Sequence, residues 1–341
     1  QNEGFGRNEI STHFHNAHNG AESDGACNAY HFPGTFYDYH WGTTMARRDF
    51  ILKNNEASLP KQGGGSLPDI NGWKNRCSGP RDDGTCLEVP GDFRETQGTL
   101  WFHDHRFFFT AENVHKGNFA MCNLYSGPDV GRDTPDSEMP DGSSVNLCLP
   151  SGNKLVWGNI DFDVNLAISN PAFDPNGQLF FDIFDTDGFL GDVLAVNGAY
   201  APFFKVLPRK YRFRLLNASM SRFLRLALVD SGGRPVPFQF IANDGNFVVN
   251  PIVLTGLDEQ GPAERYDIVV DFARFKKGDK LYLVNLLQQT DGRKPDGAVS
   301  IAQAMTGVAV DPAVGPILEF QVTDQIISAD EPGRAVTMAT F

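Results

Sequence analysis

Short runs of alternating apolar and polar residues recur along the chain, each closed by Gly, Pro, Asn or Asp. Examples are Lys154–Phe162, Lys210–Ala218, Arg222–Asp230, Pro237–Asp244, Tyr266–Phe272 and Lys280–Leu287. A period of two places successive side chains on opposite faces, so these runs predict β-strands rather than helices. In Lys210–Ala218, Lys and Arg alternate with Tyr, Phe and Leu, which predicts one face in a core and one in water. Long stretches with helical periodicity are absent. Short strands with frequent turn signals predict an all-β sandwich or barrel.

At 341 residues the chain exceeds what one hydrophobic core usually supports, and two domains are expected. The stretch from Ser126 to Gly152 is rich in Pro, Gly, Asp and Ser and marks a linker. The expected division is residues 1–150, with a linker at about 126–150, then 151–328, then a tail at 329–341. The irregular Arg47–Gln97 stretch is a second long loop. No apolar run approaches the ~20 residues that cross a bilayer, so no membrane span is expected. A net charge of −13 argues against nucleic acid as partner and is read as solubility.

The five cysteines form no C-x-x-C pair. Cys77 and Cys86 bracket a polar loop, as do Cys122 and Cys148, so two disulfides are expected, with Cys27 free. Disulfides imply an extracytoplasmic (periplasmic, secreted or cell-surface) protein.

All eight histidines precede residue 116, and four of them form two His-x-His pairs, His13/His15 and His103/His105. On a strand, residues i and i+2 share a face roughly 6.5–7 Å apart. That spacing suits ions held side by side, one on each ring. Two such strands facing each other would build half of a multinuclear site. Imidazole favours copper, zinc, nickel or iron over magnesium or calcium. His18, His31, His40 and His115 are read as surface or supporting residues.

The motifs "HFHN…ESDG" and "GTLWFHDHRFFFTAENVHKGN" resemble the copper motifs of multicopper oxidases, in the branch of bacterial spore-coat laccases and bilirubin oxidases. "GDVLAVNGAYAPFFKVLPRKYRFRLLNASMSRFLRLAL" and "GPAERYDIVVDF" resemble the second cupredoxin domain of that branch. The resemblance runs from about Ser11 to about Asp324. It implies two cupredoxin-like Greek-key domains, the first lacking strands at its N-terminus. It also implies that His13 binds a type-2 copper, and that His15, His103 and His105 bind the type-3 pair. Asp24, in the S-D-G sequence, matches a carboxylate that assists proton delivery. The partners implied are dioxygen, reduced to water, and a small reducing substrate, phenolic, bilirubin-like or a metal ion.

Asn16 stands where the family carries Gly, and "NFAMCNLY" replaces a Gly-rich segment. The type-1 copper motif, a Cys flanked by histidines, is absent. A third cupredoxin domain, in the same polypeptide or a second chain, is therefore expected to supply it with the remaining histidines. Two alternatives stand beside this reading: a copper-binding or structural subunit without its own turnover, and a mononuclear metalloenzyme of another β-fold.

Overall fold

The computed structural model describes residues 8–42, 97–125, 129, 131, 147–151, 162–327 and 335–337. The Arg47–Thr96 stretch, most of the linker, Cys77, Cys86, Lys154–Asp161 and most of the tail lie outside the described residues.

The fold is all-β. Strands β1 (Thr12–His15), β2 (Gly98–Asp104) and β3 (Phe119–Leu124) form an antiparallel sheet in the order β1–β2–β3. A six-residue helix, α1 (Thr110–His115), connects β2 to β3. Among the described residues, these strands pair only with one another.

Residues 163–322 form a two-sheet sandwich. The larger, seven-stranded sheet centres on Lys210–Asn217, which pairs antiparallel with Arg265–Asp271 and parallel with Asp163–Ser169. The five-stranded sheet centres on Lys280–Asn285, flanked by Leu224–Asp230 and Gly315–Val322. The core lies between them: Tyr211, Phe213, Leu215, Ile268 and Val270 meet Leu226, Leu228, Leu283, Leu318 and Phe320. Strictly alternating apolar positions are what two facing sheets require.

The second face of Lys210–Asn217 departs from expectation. Arg212 and Arg214 are not in water; both are fully buried. The three-stranded sheet covers that face, and Leu216 packs there with Trp101 of β2. Buried charges must be paired. Arg212 donates to Asp129 and Asp267, both at 2.6 Å. Arg214 grips Asp163 through two bonds of 2.7 and 2.8 Å. Burial alone would raise the Asp163 carboxyl, but the two guanidiniums hold it below the usual carboxylate range. Thr99 of β2 joins this cluster, donating to Asp267 at 2.6 Å and accepting from Arg214 at 3.1 Å. The start of the strand that carries His103 is thus fixed to the sandwich by buried polar contacts.

Among the cysteines, the Cys122–Cys148 bridge expected from the sequence is not formed, because Cys122 on β3 carries a free thiol, as does Cys27. No helix among the described residues is long and apolar enough to cross a membrane.

Candidate metal centre

β1 and β2 pair in a register that sets His13 opposite His103 and His15 opposite Trp101. The two-residue period then turns His13, His15, Trp101 and His103 to one face, while Phe14 and Phe102 pack on Trp41 on the other. β2 continues past its last residue to bring His105 to the same cluster. Ring centroids stand 5.7 Å apart for His13/His15, 5.4 Å for His13/His103, 5.3 Å for His13/His105 and 6.1 Å for His103/His105. The nitrogens of His13, His15 and His103 all come within 4.8 Å of one another. His15 Nδ1 and His103 Nε2 lie 3.2 Å apart.

Backbone acceptors fix which nitrogen faces the cleft. His13 Nδ1 donates to the Asp24 carbonyl and His103 Nδ1 to the Asp104 carbonyl, each at 2.7 Å. Because a carbonyl only accepts, each Nδ1 carries a proton and Nε2 is the nitrogen left to face the cleft. Burial, reinforced by the Arg265 charge and the neighbouring histidines, lowers His15 to about 3. Burial lowers His103 to about 4. Both rings are therefore neutral at pH 7, as metal ligation requires.

The residues between and around the histidines hold them in place. Asp104, between His103 and His105, is fully buried. Its carboxylate accepts from the Ser11 and Arg106 amides at 2.7 and 3.1 Å and from Asn113 Nδ2 at 2.9 Å. One side chain thereby ties β1, β2 and α1 together.

The S-D-G sequence forms the other support. Ser23 Oγ accepts from the His40 amide, and its carbonyl accepts from Trp41 Nε1. Gly25 has φ +70, and a Cβ there would stand 2.5 Å from the Thr12 carbonyl oxygen. Only glycine lets this loop approach β1 closely enough for Asp24 to reach His13. The Asp24 carboxylate itself lies 3.3 Å from His13 Nδ1 and is partly exposed. Asn16, which departs from the family's Gly, has φ +73. Asn is among the side chains that tolerate the left-handed region, so the turn after His15 survives the replacement.

The histidines open onto a cleft of about 400 Å³ whose far wall comes from the sandwich, through Ser219, Met220, Pro262 and Ala263. His18, His31, His40 and His115 stand outside it. His115 instead contacts the Phe180 carbonyl at 2.8 Å, and burial lowers its basicity. Asn217, in the sequence Asn-Ala-Ser, is fully buried and donates to two backbone carbonyls, so it is a structural residue.

Three imidazoles whose ring nitrogens converge within 4.8 Å are a donor set that copper fits well, since nitrogen sites bind Cu(II) most tightly among first-row divalent ions. The four histidines expected from the sequence come together here, whereas Asp104, Trp101 and Arg265 had no place in that expectation. Trp101 lies 4.3 Å from His103 and 5.3 Å from His15, ring to ring. Its position two residues before His103 was the available signal.

No protein-family profile matches the chain. By sequence it is similar to a bilirubin oxidase of Albifimbria verrucaria, 33% identical over 258 residues, covering 74% of this chain and 40% of that protein. A laccase of Bacillus subtilis is 28% identical over 255 residues, covering 71% of this chain and 41% of the relative. A laccase of Haloferax volcanii is 31% identical over 252 residues, covering 72% of this chain and 35% of the relative. The chain thus spans well under half the length of these relatives. By structure, a multicopper oxidase variant of Aquifex aeolicus matches with a TM-score of 0.59 at 23% identity, covering 95% of this chain and 51% of that one. A Pediococcus acidilactici laccase matches at 0.53 and 18%, covering 93% and 47%. These structural matches establish a shared fold.

Proposed function

The chain belongs to the laccase-like multicopper oxidases, and on that premise we propose that it supplies half of the histidines of a three-copper centre. The complete enzyme couples one-electron oxidation of a reducing substrate to four-electron reduction of dioxygen to water. The convergence of His13, His15 and His103 within 4.8 Å carries this reading. His13 holds the type-2 copper, and His15, His103 and His105 hold the type-3 pair. His15 and His103, whose Nδ1 and Nε2 lie 3.2 Å apart, would both be placed to hold copper. Copper bound there supplies the one-electron redox chemistry.

The protein's own groups orient and protect this site. The Asp24 and Asp104 carbonyls fix the tautomers of His13 and His103. Trp101 covers His103 and His15 with an apolar ring and excludes water from one side. The Asp24 carboxylate, reachable from solvent and 3.3 Å from His13 Nδ1, moves protons between solvent and the cleft. The Asp24→Asn variant should keep its copper and reduce dioxygen more slowly; an unchanged rate excludes the proton role.

Residues 1–150 and 151–328 form the first and second cupredoxin-like domains, with 329–341 leading toward a third. That third domain, in the same polypeptide or a second chain, completes the copper ligands and much of the donor site. Phenols, bilirubin-like pigments and metal ions are the donor classes proposed. An extracytoplasmic location is proposed on the expected Cys77–Cys86 disulfide, which lies outside the described residues; the free Cys122 removes the second disulfide that pointed there.

His103→Ala should remove type-3 copper and dioxygen consumption together. Wild-type copper content in that variant overturns the assignment. The absence of a type-1 motif from this sequence favours a second reading, a copper-binding subunit without turnover. That reading requires the native protein to be colourless and to consume no dioxygen with any donor.

A further inference from the structure

Arg265 is almost wholly buried, at 1% exposure, and is bound on three sides. Its Nε donates to the Thr99 carbonyl of β2 at 3.1 Å. Its Nη1 donates to the Ala263 carbonyl at 3.0 Å and lies 3.0 Å from Asp244 Oδ1. Thr99 is the second residue of the strand that carries Trp101 and His103, while Ala263 lines the opposite side of the histidine cleft. One guanidinium therefore links the strand that carries Trp101 and His103 to Ala263 on the far wall of the cleft.

The wall it holds on the sandwich side is strained. Ala263 has φ +74, a conformation that costs a non-glycine residue about 1–3 kcal/mol and persists only where surrounding contacts impose it. The Ala263 amide donates to the Asn217 carbonyl at 2.8 Å, so Arg265 and Asn217 together clamp this residue. Arg265 is itself fixed, because its amide donates to Asp244 Oδ1 at 2.9 Å and its carbonyl accepts from the Asp244 amide at 2.9 Å. The planar fork of arginine reaches both carbonyls from one rigid unit, which lysine does not reproduce.

We infer that Arg265 is a positioning residue that sets the separation of the two walls of the histidine cleft and so the geometry of the metal bound in it. This rests on the copper reading above, and copper binding by the wild-type protein tests that reading separately.

The test uses the full-length protein and two variants, Arg265→Met, of similar length without charge or fork, and Arg265→Lys, which keeps the charge alone. Copper affinity is measured by competition with a chelator, and site geometry by electron paramagnetic resonance of bound Cu(II). Removing a group that orients ligands typically lowers metal affinity by about 10–100-fold. Arg265→Met should lose affinity in that range, and Arg265→Lys should recover only part of it and show an altered Cu(II) spectrum. If Arg265→Met does not fold, the spectrum of Arg265→Lys decides. Wild-type affinity and spectrum in Arg265→Lys, even with a lowered melting temperature, reduce Arg265 to a stabilising residue and overturn the inference. Wild-type protein that binds no copper in the cleft overturns the copper reading instead.

Discussion

The buried cluster beneath β2 makes a quantitative prediction through Asp163→Asn. The replacement keeps the shape of the side chain and removes its charge. Asp163 receives two bonds from Arg214, at 2.7 and 2.8 Å, and one from the Tyr125 hydroxyl at 2.7 Å. Arg212 Nε stands 3.9 Å away. Leaving a buried charge without its partner typically costs about 3–5 kcal/mol. Arg214 keeps Asp267 at 3.5 Å, so its charge is not wholly abandoned and the lower end, about 3 kcal/mol, is expected. The exposed Lys277–Asp324 pair is the control: its bond is as short, 2.8 Å, but both side chains are more than half in solvent. Asp324→Asn should leave stability unchanged within error. Equilibrium urea unfolding of both variants measures the contrast. A loss under about 1 kcal/mol in Asp163→Asn, or equal losses in the two variants, would refute the claim that burial decides which pair matters.

Three further outcomes follow from the same structure. Gly25→Ala must place a Cβ 2.5 Å from the Thr12 carbonyl oxygen at φ +70; it should cost at least about 2 kcal/mol, combining left-handed strain with a backbone clash, and weaken copper binding through His13, as unfolding and metal titration would show. Asn16→Gly should fold as well as the wild type, because φ +73 suits glycine, whereas Asn16→Val should destabilise, both read from thermal melts. In metal-free protein, folding holds His15 and His103 at about 3 and about 4, below the ordinary 6.5. Below pH 6.5 the unfolded chain therefore takes up protons that the folded protein refuses, so stability should fall from pH 6.5 toward 4; His15→Gln should flatten that slope, and an unchanged slope contradicts the assigned burial effect.

Much of the histidine cluster is legible in the sequence because side chains on strands obey a rigid spacing. His13/His15 and His103/His105 could be paired from their two-residue intervals alone, and the observed register sets His13 opposite His103. The alternation in Lys210–Ala218 located its strand correctly, yet misplaced Arg212 and Arg214. Periodicity reports which residues share a face, not what covers that face. Their partners Asp129, Asp163 and Asp267 are far away in sequence, so no local pattern could disclose the cluster. Arg265 escaped for the same reason, since its contacts run to backbone carbonyls that any residue supplies. The Cys122–Cys148 expectation failed because loop length says nothing about whether two thiols approach.

The most direct test of the account is anomalous diffraction at the copper edge from crystals of the copper-loaded full-length protein. One peak is expected at bonding distance from His13 Nε2, one shared by His15 Nδ1 and His103 Nε2, and one at His105. Copper bound elsewhere, with no peak in the cleft, would contradict it.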